Sequence, residues 1–245
     1  MKKPVLLSIE IEEKILDLDI NLQPDDVTCG PTCLHSIYKY FGEKITLKKV
    51  IGEVSQLSTG GTLAVCLGNH ALQRGYNATI YTYNLHVFDP SWFRKGVDLS
   101  EKLSLQMKAK SKNKTLAAAT KAYLTFLSYG GQIKYEELTA TLIKSYLLKN
   151  IPVLTGLSAT YLYNSPREIG EFRVSYDDIN GEPAGHFVIV NGYNSKTKKV
   201  SIADPLLTSF SENHYYRVDF KKLIASIMLG VVTYDANLIM IHPKK

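Results

Sequence analysis

The sequence predicts an α+β fold, in which a helical layer forms first and an antiparallel β-sheet forms later in the chain. After Pro31, apolar residues recur at helical spacing until Gly42 ends the pattern. In the second half, residues 186–193 read His-Phe-Val-Ile-Val-Asn-Gly-Tyr, and this density of β-branched side chains is typical of a buried strand. Helices grouped before strands are the order expected of an α+β protein.

The same patterns predict the other elements. Residues 161–183 are rich in Tyr, charge and Gly, and we interpret them as a long hairpin or loop. The remaining predicted elements are strands at 5–12, 76–83, 151–157, 198–204 and 237–242, and helices at 47–57, 63–74, 133–149 and 220–229.

The 245 residues predict a single domain over 1–245. The segment at about 84–131 differs in texture because it is helical and rich in lysine, with six lysines from Lys102 to Lys121. We interpret it as an insertion within the domain. A basic face can bind nucleic acid or an anionic membrane. Without aromatic interleaving, zinc-finger spacing or a helix-turn-helix pattern, we expect a solvated helix pair and no nucleic-acid partner.

Three features of the sequence favour the cytoplasm. No run of about 18 apolar residues occurs, so no transmembrane segment is predicted. Glu10, Glu12 and Glu13 lie where a signal peptide would need an apolar stretch. Three cysteines in a chain of 245 residues do not form a disulfide framework, which fits a reducing compartment. The sequence indicates no cofactor and leaves the oligomeric state open.

Cys29 is the strongest candidate for a catalytic residue. It lies in the segment Gln-Pro-Asp-Asp-Val-Thr-Cys-Gly-Pro-Thr-Cys-Leu, just before the predicted helix. A helix N-terminus stabilises a thiolate through its unpaired backbone N–H groups and its dipole. Gly30 permits a tight entry, and Pro31 suits the first helical turn. The dipole contributes only roughly 0.3–1 kcal/mol at an exposed site, so the thiol also needs a base.

His186 and Asp204 are predicted to supply the base and the group that orients it. They lie at the far ends of two strands joined by a turn at 194–197, so hairpin pairing brings them side by side. A carboxylate beside an imidazole fixes its tautomer, as the third group of a catalytic triad does. Gln23 lies six residues before Cys29, and its side-chain amide is a candidate to join the Cys29 backbone N–H in an oxyanion hole.

Each of these residues has a structural alternative. Free cysteines are usually buried as small hydrophobic residues, a single histidine on an apolar strand is often part of the core, and Asp204 alone would cap a turn. A redox pair of Cys29 and Cys33, or half of a zinc site, finds no second Cys or His pair at ligand spacing, and we expect no metal. We assign Cys33 and Cys66 to the core and His35 to the exposed side of the first helix.

Three segments together resemble the bacteriocin-processing (double-glycine leader) peptidases, a family of papain-like cysteine peptidases. The segments lie at 23–41, 185–194 and 200–205, in the order of the family. They contain Gln23 with Cys-Gly-Pro-Thr-Cys-Leu, then Gly-His-Phe-Val-Ile-Val-Asn-Gly-Tyr, and then Ala-Asp-Pro. The resemblance implies a papain-like fold, with the Cys on the helical layer and the His and Asp on the sheet. It also implies that Cys29, His186 and Asp204 form the triad and that Gln23 is the oxyanion residue.

The sequence therefore predicts a cysteine hydrolase, a peptidase or amidase, that cleaves a peptide or amide bond through an acyl-enzyme on its cysteine. Its partner would be a peptide or peptide-like substrate, and Tyr161, Tyr163 and Tyr176 are candidates to line the substrate groove. Two alternatives stay open. One is a catalytically silent papain-like module that binds peptide, although a binder has no need of all four candidate residues. The other is an acyl transferase that uses the same triad.

Overall fold

The fold is centred on a mostly antiparallel sheet, in a computed structural model that describes residues 11–56, 61–170, 175–207 and 213–244. The strands are β1 (Glu13–Ile15), β2 (Tyr76–Thr82), β3 (Gln132–Lys134), β4 (Val153–Ser158), β5 (Glu168–Ile169), β6 (Ser175–Tyr176), β7 (Gly185–Asn194), β8 (Lys199–Ala203), β9 (Tyr215–Asp219) and β10 (Asn237–Pro243). Within the described residues, eight strands form one sheet in the order β3-β2-β10-β4-β7-β8-β9, with β1 also paired to β7. β2 and β3 are parallel, and β5 and β6 form a separate small sheet.

Helices cover both faces of this sheet. They are α1 (Cys29–Tyr40), α2 (Leu47–Glu53), α3 (Ala64–Gln73), α4 (Leu99–Ala109), α5 (Lys114–Ser128), α6 (Ala140–Leu147), α7 (Ala159–Tyr163) and α8 (Phe220–Leu229), with 3₁₀ turns at Pro90–Phe93 and Gly230–Thr233. Successive side chains of β7 point to opposite faces. Phe187 and Ile189 join a core formed with α1, α3 and α5, whereas Val188 and Val190 join a second core formed with α6 and α8. The central strands are therefore buried on both sides.

The start of α1 lies directly against β7 because Gly30 has no side chain. A Cβ atom at Gly30 would come within 3.2 Å of both Leu67 and Phe187, so a larger residue would push the helix away from the strand. One turn later, the buried Cys33 thiol donates to the Phe187 carbonyl at 3.3 Å. Since Phe187 follows His186 in the chain, these contacts bring the start of the helix close to His186.

The observed elements confirm the α+β class, with the early helices and the late strands where the patterns predict them. The strand predicted at 5–12 lies almost wholly outside the described residues, and the first described strand begins at Glu13. The helix predicted at 133–149 is divided into strand β3 and helix α6. β9 has no counterpart in the prediction because it is an edge strand with no buried residue, so its side chains show no apolar alternation.

Two expectations from the sequence need correction or refinement. His35 is buried rather than exposed, because the chain after α1 folds back and the Ile45 carbonyl lies 3.1 Å from His35 Nε2. The segment 84–131 does contain a helix pair, α4 and α5, but one face of α5 belongs to the core. Phe126 packs against Gly68 of α3, where a Cβ atom would meet the ring at 2.6 Å. That this segment is an insertion stays a prediction.

Candidate active site

Cys29 is the first residue of α1 and is partly exposed. Thr28 caps the helix without a side-chain hydrogen bond to it, and the Thr28 hydroxyl donates instead to the Asp25 carbonyl at 3.2 Å. The N–H groups of the first turn are thus not capped by this side chain, and they add to the positive end of the helix dipole. Cys29 thus lies at a helix N-terminus, which is the environment that the sequence predicts for it.

His186 and Asp204 lie side by side, as the hairpin geometry predicts. His186 is the second residue of β7, Asp204 directly follows β8, and His186 Nε2 lies 2.8 Å from Asp204 Oδ1. Their side chains are 6% and 0% exposed. Because Nε2 is bound to Asp204, Nδ1 remains for Cys29, which lies close enough to the ring to raise the pKa of His186. The structure thus brings the three side chains together, and their catalytic role stays a prediction.

The electrostatics of this pair favour an imidazolium ion beside a carboxylate. Burial lowers the pKa of His186, but Asp204 and Cys29 outweigh burial and raise the pKa of His186 to about 10. Burial raises the pKa of Asp204, but His186 and two tyrosine hydroxyls outweigh it, so the pKa of Asp204 lies below its usual range. Asp204 is then ionised and His186 protonated near neutral pH. A protonated imidazole beside a cysteine stabilises its thiolate.

Asp204 accepts two hydrogen bonds on each carboxylate oxygen. Oδ1 accepts from His186 and from the Leu206 backbone N–H at 2.9 Å. Oδ2 accepts from the hydroxyls of Tyr163 and Tyr216, each at 2.6 Å. Tyr163, a candidate for the substrate groove, thus directs its hydroxyl to Asp204. Tyr216 is missing from the sequence prediction because its strand, β9, carries no recognisable pattern.

Gln23 lies in the loop that leads into α1, and it is 8% exposed. Its backbone N–H donates to the Pro205 carbonyl at 2.9 Å, which ties this loop to the residue after Asp204. Its Nε2 donates to the Asp25 carbonyl at 2.8 Å, and its buried Oε1 has no described partner. A side-chain amide nitrogen has two N–H bonds, so one remains beyond the bond to Asp25. The oxyanion role of Gln23 stays a prediction.

The other two tyrosines predicted for the groove lie in different surroundings. Tyr161 in α7 is 45% exposed and lines a groove of about 910 Å³ together with Lys144 and Lys222. Tyr176 on β6 is 63% exposed. The structure thus brings Cys29, His186, Asp204 and Tyr163 into one cluster. Substrate binding by the three tyrosines stays a prediction.

The small β5–β6 hairpin brings a carboxyl group towards the site. Burial raises the pKa of Glu168 on β5, Asp26 raises it further, and His186 opposes both. Glu168 therefore lies near the loop before Cys29 and near His186. Tyr176 pairs with Glu168 across the hairpin, so this tyrosine stands close to the same border of the site. The sequence does not single out Glu168, because only folding brings it near residues 26 and 186.

A second buried carboxyl group, that of Asp235, lies close to His186. It fills space left by two glycines, since a Cβ atom at Gly156 would lie 2.8 Å from Oδ1 and one at Gly185 would lie 2.7 Å from Oδ2. Burial raises the pKa of Asp235 to about 8, against the opposing effects of Thr233 and His186. Asp235 is thus mainly protonated at neutral pH. No sequence motif indicates it.

The other cysteines are less suited to nucleophilic chemistry. Burial raises the pKa of Cys33 well above its ordinary value, and the negative charges of Cys29 and Asp204 add to this effect. Burial also raises the pKa of Cys66 to about 11. Both thiols pack against the core that includes α1 and α3, as predicted. A thiol must ionise before it reacts, and these two resist ionisation.

Two further searches concern metals and membranes. Over residues 11–56, 61–170, 175–207 and 213–244, no three His, Cys, Asp or Glu side chains lie together as a metal-binding group. In the same part of the chain, every helix is too short or too polar to cross a membrane.

Fold and site together define a papain-like arrangement, in which a cysteine at a helix start meets a histidine and an aspartate on an antiparallel sheet. Comparison with protein families agrees, since the model of the Peptidase_C39 like family matches residues 15–227. The chain belongs to this family of cysteine peptidase-like proteins. The resemblance to bacteriocin-processing peptidases, drawn from three short segments, is thus confirmed.

Several solved structures are similar to the chain at low sequence identity. A protein described as a C39-like peptidase from Bacillus anthracis is 16% identical, with 96% of this chain and 99% of that chain covered and a TM-score of 0.50. A double glycine motif protease from an AMS/PCAT transporter, in complex with the leader peptide, is 12% identical, with 94% and 95% covered and a TM-score of 0.45. The peptidase domain of Streptococcus ComA, a bifunctional ABC transporter of a quorum-sensing pathway, is 15% identical, with 92% and 98% covered and a TM-score of 0.42.

The likeness to the Bacillus anthracis structure is one of fold, and it supports the papain-like class. No curated protein matches the sequence of this chain.

Proposed function

We propose that this chain is a cysteine hydrolase, a peptidase or amidase, in which Cys29 is the nucleophile, His186 the base and Asp204 the orienting group. The observation that carries the proposal is the proximity of Cys29, at the start of α1, to a buried His186 that is hydrogen-bonded to Asp204 at 2.8 Å. Thiol catalysis requires a nucleophile, a base and a group that fixes the base. Membership of the Peptidase_C39 like family supports the same chemistry.

The first chemical step forms a thioester. The Cys29 sulfur bonds to the carbonyl carbon of the substrate amide, and the carbonyl electrons move to the oxygen. The proton held on His186 passes to the leaving nitrogen as the C–N bond breaks, so an amine departs and the acyl group stays on Cys29. The high pKa of His186 favours the protonated ring needed at the start of this step.

The second step releases the acid. A water molecule gives a proton to His186, and its oxygen attacks the thioester carbon. The C–S bond then breaks, a carboxylic acid leaves, and the thiolate is restored beside an imidazolium ion. In both steps the oxyanion would be held by the Cys29 backbone N–H and by the second N–H of Gln23 Nε2. The bond from this nitrogen to the Asp25 carbonyl supports that assignment, because it limits rotation of the amide.

The substrate that we propose is a peptide or peptide-like molecule, held in a cleft bordered by the β5–β6 hairpin. The proximity of Glu168 to Asp26 and His186 supports this border, and the exposed Tyr176 opposite Glu168 offers an apolar surface with a hydroxyl group. We further propose a cytoplasmic location, since a catalytic thiol persists best in a reducing compartment. The three free cysteines agree with this location.

The test is turnover of a defined peptide pool, followed by mass spectrometry, for the wild type and two cysteine variants. Cys29→Ala should give no cleaved product, whereas the matched control Cys66→Ala should cleave as the wild type does. A peptide-derived electrophile should label Cys29 in the wild type. If Cys29→Ala and wild type bind the same peptides equally and neither cleaves them, the silent binding module is the correct function. Products joined to an added amine rather than to water would indicate acyl transfer.

A further inference from the structure

The carboxylate of Asp204 is held more firmly than orientation of one imidazole requires. Its side chain is fully buried, and it accepts four hydrogen bonds from residues that the structure describes. Oδ1 accepts from His186 and from the Leu206 N–H, and among the described residues Oδ2 accepts from the hydroxyls of Tyr163 and Tyr216, both at 2.6 Å. Two phenols on one carboxylate oxygen are strong donors to a charged acceptor.

We infer that Tyr163 and Tyr216 are positioning residues that keep Asp204 ionised and keep its Oδ1 directed at His186. This inference rests on the proposed function, because it assigns the two tyrosines to the orienting group of that site. It replaces the substrate-groove role for the hydroxyl of Tyr163, and it gives Tyr216 a role that the sequence did not suggest.

The two tyrosines reach Asp204 from different elements. Tyr163 ends helix α7, and Tyr216 belongs to the edge strand β9, where it pairs with Ile202 of β8. Asp204 lies two residues after Ile202, so Tyr216 is its diagonal neighbour on the same face of the sheet. A carboxylate held from a helix on one side and a strand on the other cannot rotate about its Cβ–Cγ bond without losing both phenols.

Other groups also face Asp204, and they do not replace the phenols. From β7, His186 supplies positive charge to Oδ1. From α1, the Cys33 thiol lies close enough for Asp204 to raise the pKa of that thiol, so it is a neutral neighbour. From the segment before β9, the His214 ring bonds the backbone carbonyl of Asp204 at 2.8 Å rather than its carboxylate. Over the part of the chain that the structure describes, the hydrogen bonds to Oδ2 therefore come from the two hydroxyls.

The direction of the effect follows from hydrogen bonding to the charged form. A donor to a carboxylate lowers its pKa, so removal of either hydroxyl should raise the pKa of Asp204. A hydrogen bond of ordinary strength to a charged group changes the pKa of that group by roughly one unit. Each of the two hydroxyls should therefore account for a change of this size. When such a variant is acidified, Asp204 would lose its negative charge at a higher pH than it does in the wild type. The acid limb of the activity profile should move upward by that amount.

The experiment compares Tyr163→Phe, Tyr216→Phe and the double variant with a matched control, Tyr215→Phe. Tyr215 is the neighbour of Tyr216 in β9, but its hydroxyl bonds the backbone of Leu18 and Ile20 at 2.8 and 3.2 Å. Two quantities are measured against pH: kcat/KM on a cleaved peptide, and the NMR signal of the Asp204 carboxyl carbon. We expect both midpoints to rise by about one pH unit in each single variant and by about two in the double variant, and not to move in Tyr215→Phe.

The NMR measurement keeps this inference separate from the proposed function. A wild type without turnover, combined with raised Asp204 midpoints in the phenylalanine variants, would reject the hydrolase and uphold the tyrosine contacts as the source of ionisation. Folded single variants whose Asp204 midpoint and acid limb match the wild type would overturn the inference. If the double variant does not fold, the two single variants decide the matter. A loss of stability without a change of either midpoint would show a structural role only.

Discussion

The two sides of the candidate site differ in how completely their polar groups are bound. On the sheet side, His186 is buried and Asp204 accepts four hydrogen bonds. On the helix side, Cys29 is partly exposed, and the Gln23 side-chain amide has a second N–H beyond the one that it donates to the Asp25 carbonyl. The sheet side is complete before any substrate arrives, whereas the helix side retains groups that a substrate could bind.

This difference matches the tasks that we propose for the two sides. A base must keep one orientation through both chemical steps, so its partners are best fixed in advance. A nucleophile and its oxyanion donors must meet the reacting carbonyl, and any permanent partner would have to be displaced first. The comparison therefore predicts large chemical effects from changes on the helix side and mainly effects of charge and orientation from changes on the sheet side.

The largest effect is expected when the nucleophile is removed. Cys29→Ala should lower kcat by at least about 10⁴-fold, and adding His186→Ala should cost almost nothing more, because residues that act as a unit are not additive. Single-turnover and steady-state assays on a cleaved peptide measure both losses. Independent, multiplying losses in the double variant would break the idea that the helix and sheet sides form one catalytic unit.

The next effect concerns chemical access to the helix side. Iodoacetamide near pH 7 should alkylate Cys29 at least about a hundredfold faster than Cys66, because a thiol with a pKa of about 11 has only about one thiolate in ten thousand at that pH. Cys33 should not react while the protein is folded, since it is fully buried. Mass mapping of the labelled peptides over time gives the three rates. Equal, slow labelling of all three cysteines would contradict an activated Cys29.

A further effect on the chemical step is expected for the oxyanion donor. Gln23→Ala should reduce kcat by about 10²–10³ and leave KM nearly unchanged, because the donor acts mainly in the transition state. The control is Gln132→Ala, at an exposed position of the edge strand β3. A Gln23→Ala variant that keeps wild-type kcat but loses substrate affinity would move Gln23 from catalysis to binding.

The smallest effect is one on stability, from the buried acid beside the sheet side. Asp235 has a pKa of about 8 in the folded protein against an ordinary value of 3.8. Between these values the folded state binds more protons than the unfolded state, so this residue destabilises the fold increasingly as the pH rises from about 4 to 8. Asp235→Asn removes this destabilisation. The variant should raise Tm at pH 8 by about 5–10 °C, which corresponds to a few kcal/mol in the free energy of unfolding, and should change Tm little at pH 4.

Thermal unfolding at several pH values measures this difference, with the exposed Asp219→Asn as control. A Tm difference between wild type and Asp235→Asn that does not depend on pH would contradict a protonated Asp235. Such a result would mean that Asp235 is ionised in the folded protein, close to His186.

Much of the fold and part of the site could be predicted because their signals are local. Helical spacing after Pro31 and the Gly-Pro entry predict a helix that begins near Cys29, and α1 begins at that residue. The turn at 194–197 sets the pairing of β7 with β8, but a bulge between Val190 and Gly192 shifts their register by one residue. This shift, which the sequence reasoning did not include, brings Asp204 to the face of β7 that carries His186. His35 shows the limit of this reasoning, since helical position alone did not reveal that the Ile45 carbonyl covers it.

By itself, then, the sequence determined the α+β class, the helix start that carries Cys29, and the hairpin whose two strands carry His186 and Asp204. These follow from residue spacing and turn chemistry, which act over a few neighbouring residues. Only the tertiary structure decided that Tyr163 and Tyr216 bind Asp204, that Glu168 approaches His186, and that Asp235 fills the space beside Gly156 and Gly185. Tyr163 and Asp204, for example, are 41 residues apart. No local pattern encodes such contacts, because they arise where separately formed helices and strands pack together.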